Sequence, residues 1–245
     1  MFTRLLVGLD GSASADAALE QAVVLGERFK ATLVVAHVAQ HKGDGTALLE
    51  RGGARVRSAG LNVDTALLRG DPDTELATLA KEADAVLVGR RGDTAHGAEL
   101  GSTTTALLKI AERCVIVCGG IASPMRSCAI AYDGGVTAKR ALELAGRFAA
   151  VVQSTIHIVH ATADHAAGLQ VVGEAEAALS LQGVSFVTHI EAGSPGEVVS
   201  RVVTGTRCDA LFAGAHVPRG RSSKVTVSHA EQILLHTDIP VVVQP

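Results

Sequence analysis

The chain repeats itself, and the repeat limits what it can fold into. Val7-Gly8-Leu9-Asp10-Gly11-Ser12 returns 123 residues later as Ile130-Ala131-Tyr132-Asp133-Gly134-Gly135. The same offset aligns Ala18-Leu19-Glu20 with Ala141-Leu142-Glu143, His37 with His160, and Gly70 and Pro72 with Gly193 and Pro195. Further along the offset widens to 125, aligning Asp84-Ala85 with Asp209-Ala210 and Gly89 with Gly214. A repeat of this length is a whole domain and not a solenoid unit. The 245 residues therefore predict two copies of one domain, 1–120 and 125–245, joined by Gly119-Gly120-Ile121-Ala122-Ser123-Pro124. Differences between the copies then report functional divergence.

Each copy alternates strand and helix patterns. Leu5 to Leu9 is a short apolar run stopped by Asp10-Gly11, a strand ending in a turn. Ser14 to Glu27 spaces Ala17, Ala18, Ala22, Val23 and Leu25 as one face of a helix. Strands follow over Thr32–Val38, Val63–Leu68, Ala85–Val88 and Cys114–Cys118, with Pro72 opening a helix that runs to Glu82. The second copy gives strands over Ser127–Tyr132, Thr155–His160, Val184–Ile190, Ala210–Ala213 and Pro240–Val243. Its helices are expected over Thr137–Ala149, near Glu174–Leu181, and over Pro195–Thr204. Continuous apolar strands separated by helices mark parallel sheets covered on both faces. The expected fold is α/β, two tandem doubly wound five-stranded parallel sheets.

Composition removes several function classes. Net charge is -3, and the segment up to Gly120 holds 13 basic and 15 acidic residues against 9 and 10 in the remainder. Neither copy is basic, so nucleic acid is not an expected partner. Aromatic residues are 2% of the chain, too few for base-stacking platforms. No apolar run is long enough to span a bilayer, and Met-Phe-Thr-Arg runs straight into a strand pattern unlike a secretory leader. Cys114, Cys118, Cys128 and Cys208 form no CxxC pair, and reduced buried thiols and a cytoplasmic location are expected. His, Cys and Asp show no metal-ligand spacing, Gly-x-Ser-x-Gly is absent, and no catalytic carboxylate pair stands out.

In open α/β sheets ligands bind at the carboxyl ends of strands, at the switch in strand order. Two loops of the first copy lie there. One is Asp10-Gly11-Ser12; the other is Gly89-Arg90-Arg91-Gly92, leading through Asp93–Leu100 into Gly101-Ser102-Thr103 and an Ala-Leu-Leu helix. Gly89 and Gly92 let backbone N–H groups approach a phosphate. Gly101-Ser102-Thr103 opens a helix, whose unpaired N–H groups favour an anion, and Ser102 and Thr103 add hydroxyls. Arg90 and Arg91 add positive potential, with strand geometry turning one of them inward. Each feature also has a plainer reading: Asp10 as a turn former, the glycines as bends, Ser102 as an N-cap, the arginines as solvated surface.

Asp10-Gly11-Ser12 at the end of strand 1, with Gly-x-x-Gly, a spacer and Gly-Ser, resembles the ATP-binding class of universal stress proteins. The resemblance covers almost the whole chain, twice. Its spacer, Asp93 to Leu100, is one residue shorter than the family's usual one. The resemblance implies an adenine nucleotide alpha hydrolase-like fold and ATP as ligand, with Mg²⁺ on its phosphates. Asp10 would lie near the ribose and phosphates, Val38 would meet adenine through its backbone, and Gly89, Gly92, Gly101, Ser102 and Thr103 would hold phosphates and ribose. A stress or regulatory role through a protein partner follows, with ATP hydrolysis slow at most. The two copies would form an intramolecular pseudo-dimer, open to further homodimerisation.

The second copy departs from this pattern. Gly214 persists, but Val217 and Val227 stand at the second and third glycine positions, Val227 before Ser228, and Gly135 replaces Ser12. Branched side chains where backbone should touch phosphate predict a lost or weakened nucleotide site. His216, Arg219, Arg221 and Lys224 keep that loop basic. Two rival functions stay open: an interaction module without nucleotide, and a receiver-like phosphotransfer protein using Asp10.

Overall fold

In the computed structural model the residues described are 1–39, 45–91, 100–215, 233–234 and 237–245. The chain divides into two compact units, Met1–Ser123 and Pro124–Pro245. The first runs β1 (Arg4–Gly8), α1 (Ala13–Phe29), β2 (Thr32–Ala39), α2 (Thr46–Ser58), β3 (Val63–Arg69), α3 (Pro72–Ala80), β4 (Ala85–Gly89), α4 (Ser102–Ile110) and β5 (Cys114–Cys118). The second runs β6 (Ser127–Ala131), α5 (Val136–Val152), β7 (Thr155–Ala161), α6 (His165–Leu181), β8 (Phe186–Glu191), α7 (Pro195–Thr206), β9 (Ala210–Gly214) and β10 (Val241–Gln244).

The first unit orders its strands β3-β2-β1-β4-β5, every pair parallel. The second orders them β8-β7-β6-β9-β10, again all parallel. Strand order reverses beside β1 and beside β6, which is where a doubly wound sheet opens a crevice. The central strands carry the core. Leu5, Leu6, Leu33, Val86, Leu87 and Ile116 are fully or almost fully buried in one unit, and Ile130, Ile156, Ile158, Leu211 and Phe212 in the other. Each such side chain contributes about 1.5–3 kcal/mol by leaving water. The α/β expectation holds, with strands close to the predicted ranges.

Local details repeat with the sequence. Lys30 and Gln153 take the left-handed conformation (φ 56° and 55°) and end α1 and α5, their N–H groups donating to Gly26 O and Ala149 O. Asp84 accepts from Thr3 N at 2.6 Å, Thr3 Oγ1 at 2.8 Å and Arg4 N at 3.0 Å, fixing the entry to β1. Asp209 accepts from Arg126 N at 3.1 Å and Ser127 N at 2.8 Å, fixing the entry to β6. All four cysteines are buried free thiols, as the sequence implied.

One element departs from expectation. α6 begins at His165 instead of near Glu174, because the Asp164 side chain caps it by accepting from Ala167 N at 3.0 Å. Gly168 and Gly173 obscure the helical pattern over that stretch. Gly168 is needed there, since a Cβ would stand 2.8 Å from Ile190 Cγ2.

Candidate functional site

The turn after β1 is built from its own side chains. Asp10 Oδ1 accepts from Ser12 N at 2.9 Å, and Gly11 between them takes φ +89°, where a side chain would be strained. Ser12 then caps α1, its Oγ accepting from Ala15 N at 3.1 Å. Asp10 and Gly11 are exposed at the carboxyl end of β1. His37 braces the strand from the side: Leu9 O is an acceptor, so His37 Nδ1 donates to it, at 2.7 Å. Val38, the next residue, is buried near the end of β2 and pairs with Leu68.

A second set of bonds closes the loop that follows β4. Arg90 N donates to Cys118 O at 3.1 Å, and Gly101 N donates back to Arg90 O at 2.9 Å. Thr104 Oγ1 donates to Gly89 O at 2.7 Å. These bonds bring Gly89, Arg90 and Arg91 against Gly101, Ser102 and Thr103, the start of α4. Arg91 N donates to Ser14 Oγ at 3.2 Å, which ties the loop base to the first turn of α1. Ser14 and Thr104 were not singled out from sequence; their hydroxyls, close in sequence to Ser12 and Ser102, were the available signal. Gly92 and the spacer up to residue 99 lie outside the described residues.

Two expectations change. Gly101, not Ser102, is the N-cap of α4, so Ser102 is the first helical residue with its N–H at the positive end of the helix dipole. Gly89 is required by protein backbone: a Cβ there would stand 2.5 Å from the carbonyl carbon of Ser14. Gly214 has the same role against Thr137, so helix packing requires this glycine in both units, whatever ligand is bound. The two arginines divide as strand alternation implied: Arg90 is buried and Arg91 exposed. Burial pushes the Cys118 thiol far above its ordinary range, with the Arg90 charge opposing. Burial alone raises Cys114 to about 12, so both stay protonated and unreactive.

The second unit keeps the frame of this site and changes its lining. Asp133 Oδ1 accepts from Gly135 N at 2.8 Å, and His160 Nδ1 donates to Tyr132 O at 2.8 Å, repeating the Asp10 and His37 bonds. Gly135 caps α5 without a side-chain bond. At the position of Arg90 stands Ala215, whose N donates to Gln244 O at 2.7 Å. The backbone bond survives while the buried cation is gone. Val217, Val227, Ser228 and the basic residues His216, Arg219, Arg221 and Lys224 lie outside the described residues.

Chemically, the first site offers N–H groups at two helix starts, hydroxyls on Ser12, Ser14 and Ser102, and a buried guanidinium. Those groups suit an anion. Among the described residues no group of three or more His, Cys, Asp or Glu could hold a metal ion, and no helix is long and apolar enough to cross a membrane.

Comparison with known proteins follows the same lines. The universal stress protein family profile matches residues 1–59 and 125–245, more than half of the chain. No curated protein matches the sequence significantly. A universal stress protein from Archaeoglobus fulgidus DSM 4304 is similar in structure, with a TM-score of 0.78 at 20% identity over 98% of this chain and 97% of its own. One from Pseudomonas aeruginosa UCBPP-PA14 gives 0.75 at 18% identity over 99% and 93%. A family protein from Arabidopsis thaliana, solved with AMP bound, gives 0.39 at 19% identity over 47% and 90%. The fold is that of the two full-length neighbours, and the chain belongs to the universal stress protein family.

Proposed function

We propose that the first unit binds an adenine nucleotide, ATP, at the ends of β1, β2 and β4, and that the protein acts as a nucleotide-dependent regulator in a stress response. One observation carries this reading: the bonds from Gly101 N to Arg90 O and from Arg91 N to Ser14 Oγ join two helix starts and a buried arginine around one crevice. Helix starts with free N–H groups favour phosphate oxygens. Val38 would meet the adenine through its backbone, Asp10 and Ser12 would take ribose and phosphate, and Gly101, Ser102 and Thr103 would hold the phosphates.

The residues fit the group. Space is open beside Gly11, where an added Cβ would meet no atom within 4 Å. A Mg²⁺ ion would be carried on the phosphates, since no protein cage of ligands surrounds the site among the described residues. No described residue stands as a base or water-positioning group, so hydrolysis would be slow and output would come from partner binding. The second unit, with Ala215 and Gly135 in place of Arg90 and Ser12, would bind nucleotide weakly or not at all.

One observation favours the rival reading of an interaction module. Packing against Ser14 already requires Gly89, so this glycine does not by itself call for a phosphate. Calorimetry on the full chain separates the two. ATP should bind and adenosine should bind more weakly, because the phosphate contacts supply much of the affinity. Absence of binding heat for ATP, together with no nucleotide in mass spectra of the native purified protein, would decide for the interaction module.

A further inference from the structure

His157 on β7 and His189 on β8 meet in the second unit. His157 Nδ1 and His189 Nε2 are 3.0 Å apart, with ring centroids 5.2 Å apart and planes at 27°. The centroid distance is close to the nitrogen separation plus the two ring radii, so the rings meet end to end. That is the geometry of an in-line N–H···N hydrogen bond; two nitrogens converging on a shared metal would bring the centroids closer. β7 pairs with β8 through Val159↔His189 and His157↔Val187, so the bond runs diagonally between strands. β8 is the last strand in its sheet.

We propose that the His157–His189 pair is an acid-sensitive latch that fastens the edge strand β8 at neutral pH and releases it when both rings are protonated. A neutral imidazole has one N–H and one acceptor nitrogen, so one ring donates and the other accepts. One added proton can settle on a nitrogen outside the bond and leave it intact. A second proton leaves two N–H groups and two positive charges facing each other, and the bond is lost. Protonation of one ring is therefore coupled to protonation of the other through the shared bond.

The surroundings do little to offset that repulsion. Alternation puts Glu191 of β8 on the same face, but Arg201 of α7 engages it at 2.7 Å. α7 packs over β7 and carries two further charges, Glu197, whose Oε2 accepts from Ser194 Oγ, and Arg207 at its end. β7 adds Thr155, Val159 and Ala161 to this face and β6 adds Ser127, Ala129 and Ala131, none of them charged. Burial, then the neighbouring His189, lowers the His157 pKa from its ordinary value. The folded unit therefore resists a proton that the unfolded chain accepts. The stability that neutral His157 contributes is full above the unfolded value of about 6.5 and falls as pH drops below it. The first copy has Val34 and Ala66 at these positions, so the fold does not need the histidines.

The test is hydrogen exchange on the full chain, corrected for the intrinsic effect of pH on exchange. Between about pH 7.5 and about pH 5, protection of the β8 amides should fall about tenfold or more, the equivalent of one pKa unit of coupling. The double variant His157→Val with His189→Ala, which restores the residues of the first copy, should show no such fall. Unchanged β8 protection in the wild type, or an equal fall in the variant, would overturn the proposal. Histidine NMR titration of the wild type gives a reading independent of the variant's folding. Two separated, coupled steps for these rings support the latch, and two independent titrations near 6.5 refute it.

Discussion

Gly89 lies directly against the first turn of α1, so that a Cβ at residue 89 would stand 2.5 Å from the carbonyl carbon of Ser14. The second unit repeats the contact, with Gly214 at the same distance from the carbonyl carbon of Thr137 and 2.6 Å from Ala138 N. Backbone on both sides leaves nothing flexible to yield. Gly89→Ala and Gly214→Ala should each lower stability in urea by roughly 1–3 kcal/mol, the usual range for overpacking. Gly120→Ala, where an added Cβ meets nothing within 4 Å, should change it by less than about 0.5 kcal/mol. Equal stabilities in all three variants would remove the packing explanation.

Gln21 clasps the last residue of the first unit, Ser123. Its side chain is fully buried, Nε2 donating to Ser123 O at 3.0 Å and Oε1 accepting from Ser123 N at 2.7 Å. The second copy has Leu144 at this position. Gln21→Leu strips both bonds from a buried peptide and should cost about 1–3 kcal/mol. Thermal unfolding checks this, and an unchanged Tm would mean that Ser123 finds equal bonds elsewhere.

The frame of this molecule was legible because each buried strand is a short apolar run and most helices have a clear face, α6 excepted. The duplication then supplied a second reading of most elements. What escaped depends on contacts between distant residues. Nothing near residue 89 announces that Ser14 will press on it. Ala215 in place of Arg90 is visible only once the backbone bonds to Cys118 and Gln244 show the two positions to be equivalent. His157 and His189 meet through strand register, which sequence spacing does not encode. The repeated His37 and His160 were legible as a pair, and both donate to the carbonyl at the end of a first strand.

Asp84 gives the first unit a defined acid response. Burial raises its pKa, but hydrogen bonds from Thr3 N, Arg4 N and Thr3 Oγ1 outweigh burial and hold the carboxyl below its ordinary value. Its folded pKa is therefore below the unfolded one of about 3.9. The stability it supplies is full above the unfolded value and is lost as pH falls through the folded one. Asp84→Asn should lower stability at neutral pH and flatten the dependence on pH below about 4. Urea midpoints across that range check it, and parallel curves for variant and wild type would contradict it.

Stoichiometry tests the asymmetry of the proposed sites most directly. The first unit keeps the Ser12 cap, the buried Arg90 and the N–H groups at the start of α4; the second has Gly135 and Ala215, and its loop carries Val217 and Val227. The chain should therefore bind about one ATP. At roughly a hundred times the dissociation constant, ligand should stabilise the unit that binds it by about 2.7 kcal/mol. Two variants then separate the parts of the site. Ser12→Ala loses a cap worth about 1 kcal/mol of stability and a ligand hydroxyl together. Gly101→Val leaves the backbone unstrained, because Gly101 has φ -58° and ψ 149°, but it sets a branched side chain at a buried N-cap and crowds the helix start. Its ATP affinity should fall tenfold or more, a loss of about 1.4 kcal/mol in binding, measured at a temperature well below the Tm of the free variant. Two equivalent sites by calorimetry, or undiminished affinity in Gly101→Val, would show that the loops after β4 and β9 do not set which unit binds.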